Sequence, residues 1–92
     1  QRLAEQVTGF IQELRQSELY KIPGVSETID WTAALLALNQ SELDPEIIND
    51  TLGIMLKYQD DINLVRGEPV RGMLDRSRNQ GPRRGRRGGG SG

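Results

Sequence analysis

The 92-residue chain has no cysteine and no histidine. The first absence excludes disulfides and thiolate chemistry. The second excludes Ser-His-Asp and Cys-His nucleophilic catalysis, and together they leave only carboxylates and carbonyls as metal ligands. Aromatic residues are scarce, with one tryptophan, two tyrosines and one phenylalanine. No apolar run approaches the ~18 residues needed to span a bilayer, and no charged-then-apolar signal pattern opens the chain. The first residue is Gln1 rather than methionine, as expected of a piece of a longer protein. A phosphate loop is also missing: the glycines at 88–90 precede Ser91 without a Gly-x-x-x-x-Gly-Lys-Ser/Thr pattern. No catalytic residue and no metal ligand are therefore expected, and the chain alone should not hydrolyse nucleotide.

Basic charge is sparse over the first two thirds. Residues 1–65 hold Arg2, Arg15, Lys21 and Lys57 against eleven acidic residues, a net of −7. Residues 66–92 hold eight arginines against Glu68 and Asp75, a net of +6. An acidic body with a basic arm marks a separate tail. From Asn79 onward there is no apolar residue, so this segment cannot bury enough surface to offset its ordering entropy and is expected to be disordered. Its Arg83–Arg87 run offers phosphate contacts but no aromatic ring for stacking bases, which favours a linker over a nucleic-acid-binding arm.

The stretch from Gly24 to Leu38 organises the rest. Read as a helix, it carries one apolar stripe of Val25, Ile29, Ala33 and Leu36 and a second of Trp31, Ala34, Leu35 and Leu38. Only Ser26, Glu27, Asp30 and Ala37 are left for water. A helix with two apolar stripes is expected between two partners. Trp31 is read as core rather than as a partner anchor, with an indole N–H that then needs an acceptor. Ser26 is the expected N-cap, with Glu27 in the first turn.

The flanking elements follow from the same rules. Residues 2–18 read as an amphipathic helix with Leu3, Val7, Phe10, Ile11 and Leu14 on one face and Glu13 among the polar residues on the other. Pro23 and Gly24 end the connector after it, in which Leu19, Tyr20 and Ile22 are expected to be buried. Leu43-Asp44-Pro45-Glu46 is a sharp helix start: Asp44 as cap, Pro45 at the first position and Leu43 stapling to Ile48. The helix is expected over residues 45–64, broken near Gly53 if it is in two pieces. Asp60 and Asp61 are neighbours in sequence, point to different sides of a helix and read as a solvated face, not a metal pair. Val70, Met73 and Leu74 suggest one helical turn docking back. The expected fold is all-α, a bundle of three to four helices over residues 1–66, a weakly structured extension over 67–78 and a disordered tail over 79–92.

The run Leu19-Tyr20-Lys21-Ile22-Pro23-Gly24-Val25-Ser26-Glu27-Thr28-Ile29-Asp30-Trp31, then Ala33–Leu38, Leu43–Glu46, Thr51-Leu52-Gly53 and Leu56-Lys57-Tyr58 resembles the C-terminal lid of MoxR-type AAA+ ATPases. The branch it is most similar to includes the carbon monoxide dehydrogenase accessory ATPase. The resemblance covers residues 1 to about 66. It implies a cytoplasmic parent that binds and hydrolyses ATP with Mg²⁺ in a core outside this chain. It further implies a homo-oligomeric ring, usually a hexamer, a chaperone role in maturing metal-containing enzymes, and often a von Willebrand factor A-domain partner. Family lids often open this helix with Gly-Ala-Ser-Pro-Arg, the arginine reaching the γ-phosphate. The matching positions here are Gly24-Val25-Ser26-Glu27-Thr28, so the cap serine is kept and threonine, with a hydroxyl but no charge, stands in the arginine's place. Gly24, Val25 and Thr28 are the candidate nucleotide-proximal residues; a turn and a cap explain the same residues equally well. A reading from a different class is a stand-alone helical interaction module with an arginine/glycine arm for nucleic acid.

Overall fold

The computed structural model describes residues 2–79. The described residues are all-α, in five helices rather than the three or four expected: α1 (Arg2–Arg15), α2 (Val25–Ala37), α3 (Pro45–Met55), α4 (Gln59–Val65) and α5 (Glu68–Asn79). No helix among them is long and apolar enough to cross a membrane. The expected tail lies outside the described residues apart from Asn79.

The packing centres on α1 and α5. Leu3, Val7, Phe10, Ile11 and Leu14 face one way, as their spacing requires, and meet Val70, Met73 and Leu74 of α5 in one buried cluster. Gly9 belongs to this contact: a Cβ there would stand 3.3 Å from Ser77 Cβ, so glycine lets the two helices approach closely. Residues 68–79 are thus a full 12-residue helix contributing to the core, not a weakly structured extension. Three apolar residues at helical spacing suggested only one turn; burial against α1 extends the helix beyond what the local pattern supports.

Several boundaries differ from expectation. Helix α1 stops at Arg15. Helix α2 is capped at Gly24, not Ser26, and the Glu27 carboxylate accepts the Gly24 N–H at 2.9 Å, the glutamate half of a capping box. Its far end closes through Asn39 at φ 62°, with Gln40 N–H donating to Leu35 O and Asn39 N–H to Leu36 O, a Schellman arrangement. The Asp44 cap is as expected, its Oδ1 accepting Ile47 N–H at 2.9 Å behind Pro45, and Leu43 and Ile48 are both buried. The chain breaks at Leu56–Tyr58 rather than at Gly53, which faces open space. Gly67, at φ +88°, turns α4 into α5 and donates its N–H to Asn49 Oδ1 at 3.0 Å.

The centre of the core is Trp31, fully buried, tilted 47° against Phe10 with ring centroids 5.7 Å apart. Its indole N–H donates to Thr51 Oγ1 at 2.7 Å, and the Thr51 hydroxyl donates to Ile47 O at 2.7 Å. Every polar atom of that pair is satisfied, as burial demands. Two acidic residues expected in water are buried. Glu13 accepts from Arg76 Nε at 2.8 Å, tying α1 to α5. Asp61 accepts Tyr20 N–H at 2.9 Å and Lys21 N–H at 3.1 Å, tying α4 to the connector after α1. Asp60 alone keeps to solvent.

Candidate functional site

Helix α2 has neighbours in α1 and α3, but they cover only Trp31, Ala34 and Leu35 of its second stripe and leave the first open. Trp31 and Leu35 are inside; Val25 and Ile29 are 74% and 61% exposed, and Ala33, Leu36 and Leu38 are exposed with them. The expectation of a helix sandwiched on both stripes is therefore corrected. The reason is that α5 packs on α1, α3 and α4 and leaves the outer side of α2 uncovered. The connector is corrected too: its main chain is docked through Asp61, while Tyr20 and Ile22 are exposed and Leu19 is half-buried.

The three residues singled out from sequence converge. Gly24, Val25 and Thr28 line a single groove of about 210 Å³, together with Ile29 of α2 and Thr8, Ile11, Gln12 and Arg15 of α1. Helical geometry explains the grouping. Val25, Thr28 and Ile29 lie three and four positions apart on one side of α2, and Thr8, Ile11, Gln12 and Arg15 are spaced likewise on α1. Extended backbone at Gly24, φ −89° and ψ −168°, brings the chain into the helix at the groove's end. The Thr28 hydroxyl donates to Gly24 O at 2.8 Å, which leaves its oxygen as an acceptor.

Electrostatics around the groove come from Glu27 with its partner Lys57 and from Arg15. Glu27 is turned away: its carboxylate holds the Gly24 N–H at 2.9 Å and Lys57 Nζ at 3.5 Å. Hydrogen bonds from its own backbone N–H and then from that of Gly24 keep its carboxyl below the usual carboxylate range, with Lys57 adding to the effect. Arg15 lines the groove and has no ion-pair partner among the described residues. Sequence reasoning did not single it out. The available signal was its place in the last turn of α1, but only the crossing of α1 with α2 sets it beside Thr28.

The groove combines apolar walls (Ile11, Val25, Ile29), neutral polar groups (Thr8, Gln12, Thr28) and one cation. It can hold a ligand by contact, hydrogen bonding and charge. It contains no carboxylate, thiol or imidazole for acid–base or nucleophilic chemistry. No group of three or more potential metal-ligating side chains occurs among the described residues. Comparisons with family models, curated proteins and solved structures returned no match for this chain.

Proposed function

We propose that the chain is the C-terminal lid of a MoxR-like AAA+ ATPase. In that role it couples ATP binding and hydrolysis in a core outside the chain to movement of ring subunits, in a cytoplasmic chaperone for metal-containing enzymes. Two supports stand together: the ordered resemblance over residues 1–66, and the state of the helix at its heart. The second carries the reading. A five-helix body that buries Trp31 completely leaves Val25, Ile29, Ala33 and Leu36 in a row on its surface, and a row of that kind is normally covered by another protein surface. A lid leaning on its core has that requirement, and the ordered resemblance is what favours it over an interaction module with another partner.

On this reading the outer face of α2 meets the core or the adjoining subunit, and the groove at Gly24, Val25 and Thr28 lies next to nucleotide. Mg²⁺ and the hydrolytic residues belong to the core. Arg15 supplies the positive charge that the Thr28 position lacks. The von Willebrand factor A-domain partner and the hexameric ring remain attached to the family resemblance.

The test starts from the reading frame upstream of Gln1: absence of Walker A and Walker B motifs there defeats the proposal. With the parent chain in hand, Val25→Asp/Ile29→Asp is expected to lower ATP turnover by at least ~10-fold, about 1.4 kcal/mol of coupling, while the helical circular dichroism signal holds. Unchanged turnover in the double variant defeats it as well.

A further inference from the structure

A second depression, of about 540 Å³, shares no residue with the α2 groove and is lined by Tyr20, Tyr58, Gln59 and Asp60. In a chain with four aromatic residues, two stand here on the surface, Tyr20 78% and Tyr58 52% exposed. Their ring centroids are 6.0 Å apart and their planes meet at 69°, an edge-to-face pair that leaves a ring face bare. The backbone behind them is fixed. Asp61 is buried and holds the N–H groups of Tyr20 and Lys21. Tyr58 caps α4 in extended conformation. A carboxylate withdrawn from water to fix the main chain of an exposed tyrosine positions that ring on the surface; it does nothing to bury it.

Asp60 lines the same depression, is exposed, and has no ion-pair partner among the described residues. Lys57, the cation beside Tyr58, is engaged by Glu27 instead. A bare ring face and an unpaired carboxylate match a guanidinium, which stacks on aromatic rings and bonds carboxylates through a planar fork. We propose that this depression receives an arginine of the chain's own Arg83–Arg87 run, with the bare tyrosine ring face against its plane and Asp60 accepting its N–H groups.

Charge favours that occupant and reach allows it. The run supplies four arginines of the +6 segment to a body of net −7. Helix α5 has 12 residues and is about 18 Å long, and the chain from Asn79 to Arg87 extends up to roughly 27 Å. The run can therefore return along α5 towards α4. The α5 end itself is near other acids: Arg78 donates to Leu43 O at 2.8 Å, beside a shallow surface with Asp44, Glu46 and Asp50. That surface offers charge but no ring, and exposed ion pairs alone hold little. This inference is independent of the ATPase reading.

The experiment compares backbone amide NMR spectra of the full chain with those of a variant in which Arg83, Arg84, Arg86 and Arg87 are all changed to serine. Shifts at Tyr20, Tyr58, Gln59 and Asp60 are expected, and a peptide of residues 81–88 added to the serine variant should restore them. The full chain carrying Tyr20→Leu/Tyr58→Leu, or Asp60→Asn, should not respond to the serine changes. Identical amides at the depression would overturn the proposal. Shifts confined to Asp44, Glu46 and Asp50 would reduce it to diffuse attraction and overturn it too. Shifts that fade on dilution would assign the arginines to a second copy and overturn the intramolecular form.

Discussion

The two long sides of α2 are made of similar residues and have opposite fates. Trp31 and Leu35 are wholly buried; Val25, Ile29 and Leu36, no less apolar, lie on the surface. The difference is not in propensity or hydropathy but in neighbours. The inner side meets Phe10 from α1 and Thr51 from α3, while α5, the helix free to cover the outer side, is held on α1 through Gly9 and the Glu13–Arg76 pair. An apolar stripe states that cover is needed; the packing of the other helices decides whether this chain supplies it.

Substitutions can break the contrast from its buried side first. Trp31→Ala removes the largest buried side chain and should cost about 3–5 kcal/mol, read as a collapse of the urea midpoint; an unchanged melting temperature would place Trp31 outside the core. Asp61→Ala removes a charged acceptor from two backbone N–H groups and should cost about 2–3 kcal/mol, with amide exchange rising first at Tyr20 and Lys21. Thr51→Val keeps the shape but strands the indole N–H, for a loss of about 1–2 kcal/mol and a shifted Trp31 fluorescence maximum.

The outer side should respond weakly. Glu27 has a lowered carboxyl pKa in the folded chain. Its contribution is therefore present above the unfolded carboxylate pKa and lost as pH falls through the lower folded value. The stability gap between the native chain and Glu27→Gln should thus be constant at neutral pH and close on acidification, as followed by urea titration at each pH. Ile29→Ser should change stability by no more than about 0.5 kcal/mol. A large loss in the isolated chain would show the outer stripe to be covered after all and would remove the contrast.

Much of the fold was readable along the chain because it is set by local chemistry. Asp44-Pro45 starts α3 through one side-chain bond and one fixed φ, Pro23-Gly24 precedes α2, and the α1 stripe is the α1 core. Glu13 and Asp61 were misread because a carboxylate reads as solvent-facing unless its partner is known, and the partners lie 63 and up to 41 residues away. The candidate site was half legible. Gly24, Val25 and Thr28 came from sequence, and their common groove agrees with their spacing. Arg15 did not, because nothing local records which residue of α1 faces α2. Tyr20 was expected inside for its ring, yet its main chain, not its ring, is what the fold holds.

The sequence by itself determined the all-α class, the apolar face of α1 and the Asp44-Pro45 start of α3, because capping bonds, proline geometry and 3.6-residue periodicity act within one or two turns. It also determined the absence of thiol and imidazole chemistry. Tertiary structure alone decided which stripe of α2 is closed, that α5 completes the core, and that Arg15 stands beside Thr28. Those outcomes depend on how several apolar faces share too few partners, a competition settled only when all five helices pack at once.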